Sequence, residues 1–176
     1  MIVYPIDASG QRLIFTTPVI EHLVRHRQVR WWHREAGGQL FARFDLPDVI
    51  IEEATGPRRT DWRTRHGYRP NRRAEQKEMS NRHRRGLHFI GDWHTHPEPI
   101  PSPSEQDEVS MQDMFSRSDH ALNGFVLAIV GIELPPRGLH VSVVGRSSRL
   151  VLKAGNDAKG SQPIAAGELS NLLAAG

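Results

Sequence analysis

The sequence predicts one domain of α/β (α+β) class, and three observations carry that expectation. Its 176 residues suit a single hydrophobic core. Hydrophobic residues make up 38% and charged residues 24%, an ordinary globular balance. Strand-like apolar runs alternate with segments that carry helix signals along most of the chain. The domain is expected over residues 1–153, with a basic insertion at 57–86 and a loosely held tail over 154–176.

Arg12 to Thr16 is apolar enough for a short strand. Thr17-Pro18 then reads as a helix N-cap followed by proline at the first helical position, and the helix is expected to reach about Arg27. Val19, Ile20, Leu23 and Val24 share one face of it, which leaves Glu21, His22 and Arg25 outward. Gly38 to Phe44 and Asp48 to Ala54 are β-prone and flank a short turn at Leu46-Pro47, so they predict an antiparallel pair. Between Pro57 and Gly86, ten arginines and Lys77 face three acids, and only Asn71 to Arg85 is compatible with a helix. Leu87 to Trp93 predicts a strand that runs into His94-Thr95-His96-Pro97. A proline-rich loop leads from there to Ser104, which caps a helix over Glu105 to about Ser116 with Val109, Met111 and Met114 available for burial. Gly124 to Val130 and Leu139 to Val144 are the clearest strands and are expected to finish the sheet. In the tail, Leu169, Leu172 and Leu173 would allow a helical turn or two.

Several function classes are excluded by composition. With no cysteine, disulfides, thiolate ligands and cysteine nucleophiles are ruled out, so any metal must be held by nitrogen and oxygen. No apolar run approaches the ~20 residues of a membrane-spanning helix, and Met1 to Gly10 lacks the pattern of a signal peptide. A cytoplasmic location without a membrane partner is the resulting expectation. The basic segment either forms a solvated face or attracts an anionic partner, an acidic protein surface or, less favoured, nucleic acid.

Residues two apart in a strand project from the same face, so His94 and His96 can aim their imidazoles at one point. Zinc accepts imidazole and carboxylate ligands and keeps one position open in catalytic sites. Asp107 is the candidate third ligand, because the loop after Pro97 can reverse the chain and bring the first helical turn back over the histidines. Glu35 is the candidate general base, a carboxylate outside the ligand set that could accept a water proton and pass it to a leaving amine. The glycines after it, Gly37 and Gly38, would permit close approach of a substrate. Taken singly, each of these residues has an ordinary alternative. Ser104-x-x-Asp107 is also a capping pattern, Glu35 is also a strand-end carboxylate, and the i,i+4 pair His22 and His26 has no accompanying acid that suggests a metal. Trp31-Trp32 is expected in the core or at a sheet edge, with substrate contact as the alternative.

Together, His94-x-His96-Pro97, six residues, Ser104-x-x-Asp107 and the upstream Glu35-x-Gly37-Gly38-x-Leu40 resemble the pattern of JAB/MPN (JAMM) metalloproteins. The order of elements from about Leu13 to Val144 resembles theirs as well. The resemblance implies a central mixed β-sheet flanked by helices and one Zn2+ per chain on His94, His96 and Asp107. It also implies Glu35 as proton acceptor and Ser104 as a donor to the oxyanion of the tetrahedral intermediate. The chain is most similar to stand-alone bacterial JAB peptidases of ubiquitin-like conjugation and CBASS antiphage systems. That similarity implies cleavage of peptide or isopeptidyl bonds at the C-terminus of a ubiquitin-like protein. Two other readings share the motif: a RadC-like nucleic-acid-associated protein, which normally carries a helical region ahead of the JAB part, and a non-catalytic MPN scaffold, which usually lacks the ligands.

Overall fold

A computed structural model describes residues 1–6 and 9–155. The expectation of helical turns near Leu169 lies outside the described residues. Eight strands form one mixed sheet: β1 Ile2–Ile6, β2 Gln11–Phe15, β3 Gly37–Asp45, β4 Asp48–Ala54, β7 His88–Thr95, β8 Phe125–Val130, β9 Leu139–Val144 and β10 Arg149–Leu152, in the order β1-β2-β4-β3-β7-β8-β9-β10. The β2–β4 and β7–β8 pairs are parallel and the others antiparallel. A separate small hairpin, β5 Trp62–Thr64 and β6 Gly67–Arg69, lies in the basic segment. Three helices complete the described fold: α1 Thr17–Arg25, α2 Arg72–His83 and α3 Glu105–Arg117.

β8, with the sequence FVLAIV, is buried at every position because both faces of the sheet are covered at its centre. On one face, Val19 and Leu23 of α1 join Leu40, Ala42, Ile90, Trp93, Val126 and Ala128. On the other, Met111 and Phe115 of α3 pack on Phe125, Leu127, Ile129 and Val144. Each helix thus covers its own side, and the histidine-bearing β7 runs between them. The β3–β7 register shifts beside Gly91, whose φ of 147° and close approach to the Val126 backbone exclude a side chain.

α2 is polar all round, and ions rather than apolar packing hold it. Arg58, only 10% exposed, pairs with Asp61, Glu75 and Glu78, while Arg82 and Arg85 pair with Glu53 of β4. Arg82 also lies 4.7 Å over the ring of Phe41. The Asn71 side chain accepts the Ala74 N–H as the N-cap.

Several elements differ from the sequence reading. β1 was not expected, because Pro5 interrupts a short run, yet the strand sits at a sheet edge, where a missing N–H is tolerated. The α1 cap is Thr16, one residue early, and the helix stops at Arg25. His22 faces inward rather than outward: its Nε2 lies 2.8 Å from the Gly56 carbonyl and its ring packs edge-on against Trp93. Val109 is 54% exposed, and Phe115 takes the buried place on α3. The sheet does not end at Val144, because β10 turns back along β9. Trp31 and Trp32 are neither core nor sheet edge; they stand 76% and 58% exposed.

Candidate metal centre

His94 lies near the end of β7 and His96 just beyond it, with buried Trp93 and Thr95 facing the opposite side. α3 returns across their face as the sequence suggested. Asp107 Oδ1 lies 3.2 Å from His94 Nε2, Asp107 Oδ2 lies 3.4 Å from His96 Nε2, and the two Nε2 atoms are 3.1 Å apart. Tetrahedral ligands around zinc at ~2.0–2.1 Å stand about 3.3 Å from one another, so the three edges fit that ion. Among the described residues, this is the one His/Cys/Asp/Glu group with metal-holding geometry.

Ser104 supports the carboxylate. Its main-chain N–H and its hydroxyl both donate to Asp107 Oδ2, at 2.8 and 2.7 Å, while its Oγ accepts the Asp107 N–H in a capping box. The hydroxyl proton is therefore directed at Asp107, the alternative that the capping pattern had left open. Burial opposes ionisation of Asp107. Hydrogen bonds from His94, His96 and Ser104 outweigh it and hold the carboxyl well below the usual range. At His96 burial favours the neutral ring, but the hydrogen bond and charge of Asp107 prevail and raise its pKa.

Glu35 reaches the same place from the segment that leads into β3. Gly37 pairs with His94 in the antiparallel register, and Thr95 N–H donates to the Ala36 carbonyl at 2.8 Å, so Glu35 comes level with His96. Burial raises the Glu35 pKa, while the charges of His94 and His96 pull it down. Its main chain is gripped from the hairpin. Glu35 N–H donates to the Thr64 carbonyl at 2.6 Å, and Arg63 donates from Nε to the Glu35 carbonyl at 2.6 Å. Nothing in the sequence marks these partners, since a grip on main-chain atoms has no residue signature. Thr95 is a second unmarked support: its Oγ1 accepts the Ala36 N–H at 3.0 Å and donates to Gln28 at 2.9 Å. His140 of β9, half-buried, lies near enough that the charges of His94 and His96 add to desolvation in lowering its pKa.

The two glycines are also required by packing within the chain. A side chain at Gly38 would overlap the Thr55 carbonyl, which accepts the Trp93 indole N–H at 2.8 Å, and one at Gly37 would meet the Tyr68 ring at 2.7 Å. Gly37 thus makes room for Tyr68 of the insertion, and Gly38 for the main chain of Thr55. A cleft of about 800 Å3 opens between α2 and the end of α3, lined by Met79, Phe89, Met114 and Phe125, and it contains none of the five candidate site residues.

A family profile describing prokaryotic homologs of the JAB domain matches residues 16–144. The chain is 28% identical over 102 residues to a protein of Escherichia coli (strain TW11681) named CD-NTase/cGAS isopeptidase, covering 56% of this chain and 65% of that one. It is 33% identical over 106 residues to a protein of the same name from Pseudomonas aeruginosa (strain BWHPSA011 / Pa011), covering 57% and 66%. It thus spans just under two thirds of the length of these relatives. The solution structure of protein DSY2949 from Desulfitobacterium hafniense has the same fold, with a TM-score of 0.57 at 18% identity over 79% of this chain and 88% of that one.

Proposed function

The chain belongs to the prokaryotic JAB family, and from that premise we propose that it is a zinc-dependent isopeptidase that releases a ubiquitin-like protein from the amine to which its C-terminus is joined. The observation that carries the reading is the convergence of His94, His96 and Asp107 within 3.4 Å of one another, with Glu35, two residues ahead of the neighbouring strand, close enough to feel the charge of all three. The isopeptidases named among its relatives support the reaction class, and their CD-NTase/cGAS designation supports a conjugate of such a protein as the substrate; a cytoplasmic role in antiviral defence is part of the same proposal.

His94, His96 and Asp107 would hold the ion. Bound zinc supplies Lewis acidity at the scissile carbonyl and to water. Glu35 takes the proton of the attacking water on its carboxylate. As the C–N bond breaks, it passes that proton to the departing amine. Arg63 and Thr64 hold the Glu35 backbone, so the carboxylate needs little reorganisation. Ser104 orients Asp107, and its hydroxyl reaches the oxyanion once it turns from that carboxylate.

The test incubates zinc-loaded wild type and Glu35→Gln with a ubiquitin-like protein joined through its C-terminal carboxyl to a lysine side chain, and weighs the products. Wild type should release both partners, while Glu35→Gln keeps its zinc and loses on the order of 10² to 10⁴ in rate. Equal rates would refute the role of Glu35. No cleavage by zinc-loaded wild type would move the scaffold reading ahead. The nucleic-acid reading draws little from the basic segment, because Arg58, Arg72, Arg82 and Arg85 are paired with acids of the same chain.

A further inference from the structure

A depression of about 350 Å3 lies behind the loop that leads to Glu35. Four guanidiniums line it, Arg25 at the end of α1, Arg27 and Arg34 in the loop and Arg63 of β5, together with His26 and Trp32. Its lining contains no carboxylate. Arg27 and Arg63 are tethered to main-chain carbonyls, Arg27 to Ile132 at 2.7 Å and Arg63 to Glu35 at 2.6 Å, contacts that fix position without forming an ion pair, although Arg63 also feels the charges of Asp61 and Glu35 outside the lining. Arg25 and Arg34 are exposed. Burial, with the adjoining charges of His22, Arg63 and Arg25, pushes His26 down to about 4.

Trp31 and Trp32 stand out beside this depression with their rings edge-on at 5.6 Å. The loop that carries them is fixed rather than slack. Arg65 donates to the carbonyls of Arg30 and Trp31 at 3.1 and 2.6 Å, and His33 N–H donates to the Arg30 carbonyl at 3.0 Å. A rigid pair of exposed indoles next to unneutralised arginines has the composition of a binding hot spot, and fixing it in advance removes part of the entropic cost of association.

We propose that Trp31, Trp32 and the adjoining basic depression form a docking surface for an acidic segment of a partner protein that also carries large apolar side chains. The charge calls for carboxylates, and the two indoles call for apolar groups beside them. A nucleic-acid strand would need a basic track to follow. Within the basic segment Arg58, Arg72, Arg82 and Arg85 are matched by Asp61, Glu75, Glu78 and Glu53, and Arg65 is turned to the Arg30 and Trp31 carbonyls, which shortens any such track. The surface begins one residue before Glu35, so a segment bound there lies beside the candidate metal centre. The docking surface itself does not depend on the isopeptidase reading.

Fluorescence anisotropy on the full chain tests it without any turnover. The probes are a short labelled peptide alternating glutamate with leucine and phenylalanine, the same peptide with lysine for glutamate, and a labelled single-stranded oligothymidine of equal charge to the first. The acidic peptide should bind, and more weakly as salt is added. Arg25→Gln with Arg34→Gln, and separately Trp31→Ala with Trp32→Ala, should each weaken it about tenfold or more. All four side chains are exposed, so folding is spared. Equal binding of the lysine peptide, tighter binding of oligothymidine, no binding of the acidic peptide, or indifference to both double variants overturns the proposal.

Discussion

At Asp107 a single carboxylate faces two histidines and also caps a helix. His94→Ala and Asp107→Ala are each expected to abolish stoichiometric zinc, read by metal analysis of the purified proteins. The fold should survive, because a domain with this much core does not need a metal to hold it together. Ser104→Ala removes the hydroxyl from the capping box and should cost about 1 kcal/mol in denaturant unfolding. Glu35 carries the pH prediction. Its base role requires the ionised form and burial raises its pKa, so kcat/KM should fall as the solution is acidified through a value above the ordinary carboxylate range. A pH–rate profile on a short conjugate checks this, and Glu35→Gln should remove that limb. The sequence singles out His94, His96 and Asp107 because they lie close together in the chain with fixed spacing, and the fold brings their donor atoms within 3.4 Å of one another. Ser104 was legible only as two alternatives, since its residue type cannot tell a cap from an oxyanion donor.

Among the elements, the segment between β4 and β7 departs furthest from its sequence reading. Its arginines suggested a face turned to solvent. Several turn inward instead, because Glu53, Asp61, Glu75 and Glu78 are distributed where only the folded chain brings them together. Arg58→Met would leave buried Asp61 and Glu75 without their shared cation, and breaking such a group costs on the order of 3–5 kcal/mol. Denaturant midpoints measure it; a loss near zero would mean the acids are satisfied by solvent. The α1 helix has its own pH signature. In the folded chain His26 titrates at about 4, below the ordinary value of 6.5. Above 6.5 both folded and unfolded forms are neutral and stability is full. As pH falls toward 4 only the unfolded chain takes the proton, so stability declines, by on the order of 2 kcal/mol once solvent screening of the half-exposed ring is allowed for, and then levels off. His26→Leu should flatten that slope in unfolding curves collected between pH 7.5 and pH 4.

For the molecule as a whole, periodicity and turn chemistry revealed β2, β3, β4, β7, β8, β9 and the two helices that flank the sheet, because each buries a continuous apolar face. It missed β1, β5, β6 and β10, short strands whose pairing depends on distant partners rather than on their own pattern. No described helix is long and apolar enough to cross a membrane. β7, which brings His94 to the site, lies deep in the sheet, bonded to β3 on one side and β8 on the other, with Ile90 and Trp93 buried beneath it. The donor atoms are thus set in place before any ion arrives, as in a rigid macrocycle rather than a peptide that wraps its guest. Calorimetric titration of the stripped protein with zinc should consequently show a heat-capacity change near zero, and chelation should leave the slowest-exchanging amides of β7 as protected as before.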